Sequence, residues 1–275
     1  MTERDGPRKV ELYHFWSSVC SVRVRMALEE KGVGWTSRYV DLFNFDQLQP
    51  AYLAINADGV VPTLVHGGVP IRESLLINEY IDDAFDGPAL RPADPVARAR
   101  MREFNRMCED SFTPIVKLTL VKYILPKLRR RWGDEALHAH AERRPSRFLK
   151  DMHGRALRGE IGEQELAECG REIEALLDKV EAVLASPEFA AGPDGQRWIV
   201  GGFSLADICV APYMYRLYAL GAGRYWSDTT RPHLSRWYDQ LAKRPAFKVA
   251  VEWPDESGGG YEEVGLNAQA LAASR

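Results

Sequence analysis

The change of period at "DGPALRPADP", Asp86 to Pro95, is the feature that most constrains what this chain can fold into. Before it, strand-like and helix-like runs alternate; after it, apolar residues recur at helical spacing to about Pro245 with no convincing strand. "KVELYHF" reads as a strand. "SVRVRMALEEKG" reads as a helix, with Val22, Met26, Ala27 and Leu28 at apolar positions and Gly32 as its stop. "TSRYVDL" is a second strand and "FDQLQPAYLAIN" a short irregular or helical link. "VPTLVHGGVPIRES" gives two strands turned at Gly67 and Gly68. "SLLINEYIDDAF" closes the unit as a helix, with Leu75, Ile77, Tyr80 and Ile81 toward its buried face. The order is βαβ, a link, then ββα, a small α/β domain over residues 9–85. Asp94 before Pro95 is an N-cap followed by proline at the first helical position. Residues 86–94 are therefore a linker, 95–253 an all-helical domain, and the Gly- and Ala-rich 254–275 a loose or surface-laid tail.

A chain of 275 residues, 45% hydrophobic, has enough apolar content for two such cores. Its net charge of -3 supplies no basic field for nucleic acid, and no apolar run is long enough to span a bilayer. The polar start "MTERDGPRKV" has no apolar signal region, so the expected location is cytoplasmic. Cys20, Cys108, Cys169 and Cys209 show neither C-x-x-C nor zinc spacing, which predicts reduced thiols and no metal. Three of them lie in apolar-periodic segments as small hydrophobes. Cys20 stands apart because it opens a helix.

Ser17, Ser18, Cys20 and Ser21 all sit at that helix start. Its unpaired N–H groups accept a serine cap, and its dipole stabilises an anion such as a thiolate brought from outside. Further on, Val61-Pro62 is placed for a cis bond at a strand's beginning, where the Val61 backbone can pair with an extended peptide ligand. Glu73-Ser74 falls at a strand-to-helix junction. There Ser74 can cap the helix, its N–H can hold a carboxylate, and Glu73 can face an ammonium. One positive end, one negative end and a backbone clamp suit a small zwitterionic peptide.

Three separated stretches, "SSVCSVRVRMALEEKG", "INADGVVPTLVHGGVPIRESLLINEYIDDAF" and "WIVGGFSLADICVAP", together resemble the glutathione transferase superfamily, from about Val10 to Trp253. The resemblance implies a thioredoxin-like domain carrying the glutathione site and a helical domain carrying most of the acceptor site. Val61-Pro62 and Glu73-Ser74 match the family's glutathione clamp, and Ser204 to Asp207 its interior helix cap. In serine-type members a serine after the first strand donates a hydrogen bond to the glutathione sulfur. The Ser17/Cys20 spacing resembles the theta pattern, and "SSxC" before "RVRMAL" the zeta pattern with Val19 inserted. Ser17 leads, Ser18 follows, and Ser21 comes third as the residue best placed to cap the helix. Cys20 in the reactive role implies mixed disulfides and thiol exchange, or a zeta-like isomerase.

Trp16, Phe104, Phe112, Tyr123, Tyr213 and Tyr215 are aromatics that either line an apolar acceptor pocket or pack as core; Trp16, Phe112, Tyr123 and Tyr213 are the pocket candidates. A charged segment over about 118–163 looks like an extension of the helical hairpin between the second domain's first two helices. With "LRPADP" in the linker, this layout is similar to the bacterial β-etherase branch, whose members use glutathione to displace an aryloxide. Lys127 to Arg131 read as a solvated helix face or a site for an acidic partner, and His138, His140 and His153 as surface residues. The resemblance implies a glutathione-using enzyme acting on a hydrophobic or aromatic electrophile, and a homodimer with its interface beside the helix from Ser74. The competing reading is a binding module that recruits a protein partner through the insertion.

Overall fold

A computed structural model describes residues 9–187, 192, 195–219, 226–227 and 229–254. The first eight residues and nearly all of the tail from 254 lie outside this range.

Strand β1 (Val10–His14) leads into helix α1 (Val19–Lys31) and strand β2 (Thr36–Tyr39). A single 3-10 turn (Asp46–Leu48) and the short helix α2 (Pro50–Leu53) form the link. Strands β3 (Thr63–His66) and β4 (Val69–Ile71) and helix α3 (Ser74–Ala84) complete the unit. The sheet order is β2-β1-β3-β4, with β1 parallel to β2 and antiparallel to β3. Gly67 and Gly68, at φ 58° and 82°, make the two-residue turn between β3 and β4, where both positions need positive φ. Gly32 at φ 68° ends α1.

The helical domain begins at α4 (Pro95–Asp110), capped by Asp94 Oδ2 accepting from the Ala97 N–H at 2.7 Å. Helices α5 (Phe112–Thr119), α6 (Leu125–Glu142), α7 (Arg147–Leu157), α8 (Glu163–Ala185), α9 (Leu205–Ala219), α10 (Pro232–Ala242) and α11 (Pro245–Val251) follow. A π turn over Leu120–Ile124 joins α5 to α6. Two isolated β-bridges, Trp198 with Gly201 and Val200 with Gly202, interrupt the otherwise helical domain.

Helices α1 and α9 are buried on every side and form the centre of one continuous core. Leu12, Leu28, Leu64 and Ile77 are fully enclosed, each contributing about 1.5–3 kcal/mol of burial. Ser21, Arg23, Arg25 and Lys31 of α1 are enclosed too. Lys31 reaches Asp82 at 3.1 Å, and Asp82 also accepts from the Leu90 N–H and from Arg91 Nε, tying α1, α3 and the linker together.

The segment 118–163 has its own apolar cluster. Leu125, Leu128, Leu137, Ala141, Met152 and Ala156 pack with Phe45 and Leu48 of the link between β2 and α2. Two of the three histidines expected at the surface are half-buried instead: His140 stacks on Phe45, and burial and the Arg144 charge push His153 down to about 3. His138 is exposed as expected.

Candidate active site

β1 ends at His14, and its continuation, residues 15–18, is the turn that carries the serines. Ser18 is the α1 cap, with its Oγ accepting from the Ser21 N–H at 3.3 Å. Ser21 is fully buried and its Oγ accepts from the Phe15 N–H at 3.3 Å, so it ties the strand end to the helix instead of capping or facing a ligand. Ser17 is half-buried, and its hydroxyl has no hydrogen-bond partner among the described residues.

Two arginines hold this turn by its carbonyls. Arg25, fully buried in α1, donates from Nη1 to Phe15 O at 3.3 Å and from Nη2 to Trp16 O at 2.6 Å. Arg216 of α9 donates to Ser17 O. Arg25 also grips Ala250 O in α11 and His14 Nδ1. Because a guanidinium only donates, His14 Nδ1 is the acceptor and its Nε2 carries the proton toward Ser37 Oγ at 2.9 Å. Burial, then the Arg25 charge, pushes His14 down to about 2, so the ring stays neutral.

Antiparallel pairing of Tyr13 with Thr63 brings the start of β3 to the same edge as the end of β1. The Val61-Pro62 bond is cis. Behind it, Val60 O accepts from Tyr52 Oη at 2.6 Å and from Asn56 Nδ2 at 3.0 Å. The Val61 N–H and C=O have no partner among the described residues, which leaves both for a ligand backbone. The Val61 side chain packs in one cluster with Phe15 and Trp16.

At the third corner, Glu73 and not Ser74 occupies the N-cap position of α3. Glu73 holds φ 65°, a left-handed value uncommon outside glycine, and its carboxylate is exposed without a protein partner among the described residues. Ser74, the first helical residue, is buried, and its Oγ accepts from Arg23 Nη1 at 2.8 Å. The N–H groups of the first turn of α3 are left as anion donors.

Cys20 is the second residue of α1 and sits beside Ser74. The residue is half-buried, with the Ser74 hydroxyl beside its sulfur, and burial pushes the thiol up to about 11. Burial thus disfavours the thiolate that a thiol-exchange role would need.

Sequence reasoning missed Arg23. Fully enclosed, it donates to Glu109 Oε1 at 2.7 Å and Tyr213 Oη at 2.9 Å as well as to Ser74, so α1, α3, α4 and α9 meet on one guanidinium. Tyr213, expected on a pocket wall, is fully buried in this network, donating to Glu109 at 3.2 Å. Trp16 is likewise enclosed, against Phe15. Phe112 is half-buried with its ring 6.2 Å from that of Tyr213, and Tyr123 is half-buried in the π turn. Ser204 and Asp207 are structural: Asp207 accepts from the Ser204 and Ile199 N–H groups and from Trp237 Nε1.

Among the described residues no group of three His, Cys, Asp or Glu side chains has the arrangement of a metal site, and no helix is long and apolar enough to cross a membrane.

The family profile for the glutathione S-transferase N-terminal domain matches residues 17–84, and that for the C-terminal domain matches residues 110–245. Protein LigF of Sphingobium sp. strain SYK-6 is 28% identical over 247 residues, 88% of this chain and 93% of that protein. Tetrachloro-p-hydroquinone reductive dehalogenase of Sphingobium chlorophenolicum is 29% identical over 266 residues, 91% of this chain and 99% of that protein. The crystal structure of the β-etherase LigF from Sphingobium superposes with a TM-score of 0.79 at 29% identity, covering 89% of this chain and 99% of that one.

Proposed function

Because the chain belongs to the glutathione S-transferase family, we propose that it binds glutathione at the edge of the sheet shared by Ser17, Val61, Glu73 and Ser74. The observation that carries this reading is a set of unspent groups at that edge: the Val61 backbone, the Glu73 carboxylate, the α3 N-terminus and the Ser17 hydroxyl. In this assignment the α3 N–H groups take the γ-glutamyl carboxylate and Glu73 takes its ammonium. Val61 pairs with the cysteinyl backbone, which brings the sulfur to Ser17.

The glutathione sulfur supplies the nucleophile. Ser17 donates its hydrogen bond to that sulfur and favours the thiolate; the dipole of α1 alone, at about 0.3–1 kcal/mol, is too weak. The acceptor is an apolar, aromatic electrophile held by the helical domain. Likeness to LigF supports cleavage of a β-aryl ether, in which a carbon–sulfur bond replaces the carbon–oxygen bond and the aryloxide departs to be protonated by solvent. A cytoplasmic location fits this chemistry.

A homodimer is part of the proposal. Val69 on β4, Leu76 on α3 and Val96 on α4 are large apolar side chains at least 60% exposed, and they form the core of the assigned interface.

Calorimetry with reduced glutathione, followed by turnover of aryl ethers and aryl halides, tests the reading. Binding in the micromolar to low-millimolar range with glutathione-dependent release of a phenol supports it; no heat and no competition at millimolar glutathione overturns it.

A further inference from the structure

Within the glutathione-site reading above, on which this inference rests, we propose that the α6–α7 segment is a brace that fixes the site's outer wall, with His140 as its principal positioning residue. The wall is the link from Asp41 to Leu48. Phe43 in this link packs at once with the Phe15–Trp16–Val61 cluster and with the apolar cluster of α6 and α7. Its ring lies 5.1 Å from that of Phe15, edge to face. Any displacement of the link is therefore felt at the Val61 side of the clamp, while Arg25 and Arg216 keep the Ser17 turn held by its carbonyls.

The link has a strained centre. Phe45 is buried and holds φ 61°, ψ 30°, a conformation costly for an aromatic residue. The His140 ring stacks on it at 3.7 Å and 15°. Around this stack, Trp132 Nε1 donates to Phe43 O at 2.9 Å, Arg131 donates to Asn44 Oδ1, and Arg143 Nη2 donates to Leu48 O at 3.2 Å. Gly133, at φ 74° and ψ 164°, breaks α6 between Trp132 and His140. The two halves of α6 thereby grip the same loop. The brace reaches the clamp loop as well: Pro145 Cδ comes so close to Gly59 that an added Cβ would stand 3.3 Å from it.

The test compares His140→Ala, His140→Phe and Trp132→Phe in the full chain. For His140→Ala, the dissociation constant for reduced glutathione and its KM rise together, by about threefold to tenfold, while kcat changes less than about twofold. His140→Phe restores the stack and returns affinity to within about twofold of wild type. Amide hydrogen exchange at Phe43, Asn44 and Asp46 accelerates in His140→Ala and not in His140→Phe, with or without glutathione. Trp132→Phe keeps an aromatic ring but loses the Nε1 hydrogen bond to Phe43 O, and gives a smaller change in the same direction. Unchanged affinity and exchange in His140→Ala, or no rescue by phenylalanine, overturns the brace. If the wild type itself fails to bind glutathione, the functional reading falls, and the exchange comparison still decides whether the brace exists.

Discussion

Replacing Ser17 by alanine separates the chemistry of this site from its architecture. The hydroxyl has no protein partner among the described residues, so its removal strands no buried donor or acceptor. The effect falls on the bound anion. A hydrogen bond to a charged group is worth about 1.5–3 kcal/mol, which at about 1.4 kcal/mol per unit raises the pKa of bound glutathione by about 1–2 units. Turnover limited by the thiolate falls by about tenfold to a hundredfold at neutral pH. Glutathione affinity stays within about threefold, because Val61, Glu73 and the start of α3 carry the binding in this assignment. Global stability moves by less than about 0.5 kcal/mol. Ser18→Ala gives the opposite profile: loss of the α1 cap costs about 1 kcal/mol of stability and leaves the bound thiol's pKa unchanged. The assay is ultraviolet titration of the enzyme-bound thiolate against pH, paired with calorimetry and chemical denaturation. An unaltered thiol pKa in Ser17→Ala would falsify the assignment, and a raised one in Ser18→Ala would transfer the role to that residue.

Three further outcomes follow from the buried polar groups and the exposed apolar surface. Asp207→Ala leaves the Ser204 N–H, the Ile199 N–H and Trp237 Nε1 without partners inside the core, and urea unfolding should show a loss of about 3–5 kcal/mol. Burial alone would raise the Asp82 carboxyl, but the Leu90 N–H, Arg91 and Lys31 together hold it below its ordinary value. Its contribution is therefore present above the unfolded-state pKa and is lost as pH falls through the lower folded value. The melting temperature of the wild type should drop more steeply below about pH 4 than that of Asp82→Asn, and parallel curves would refute the linkage. Leu76→Asp puts a charge on the exposed α3 position and should convert a dimer to monomer in light scattering; a dimer surviving both this change and Val69→Asp rules out the β4–α3–α4 surface.

The local signals were legible in the sequence because each is settled within a few residues. Asp94 before Pro95, Gly32 after α1 and Gly67-Gly68 between two apolar runs act on their own backbone, and the structure puts each in the expected place. Arg23 and Arg25 were illegible for the opposite reason. "RVR" in a helix looks solvated, and α1 has no polar face to give them away because it is enclosed on every side. Their partners Glu109, Tyr213 and Ala250 lie 86, 190 and 225 positions along the chain. The same distance in sequence hid the role of the insertion. Its charges describe the exposed side of α6, whereas its contact with Phe45 depends on two residues 95 positions apart. The sequence left Tyr213 and Trp16 as pocket wall or core, and both are enclosed because their partners lie far off in the chain.

These buried arginines explain why a serine on an irregular turn is held in place at all. Residues 15–17 lie outside helix and strand, and ordering each backbone costs about 1–2 kcal/mol. Each charge-assisted bond to a carbonyl returns about 1.5–3 kcal/mol, and Phe15, Trp16 and Ser17 all receive one. The donors come from α1 and α9, while α11 supplies a carbonyl that fixes the α1 donor, so the helical domain must be docked before Ser17 is oriented. Only arginine meets the geometry at position 25. Its five N–H groups make five hydrogen bonds, to Ala250 O twice, His14 Nδ1, Phe15 O and Trp16 O. A lysine there has three donors on one atom and cannot span a fork of this width. The guanidinium thus sets the turn and the neutral His14 tautomer together, and that fixed turn leaves the Ser17 hydroxyl without a protein partner among the described residues.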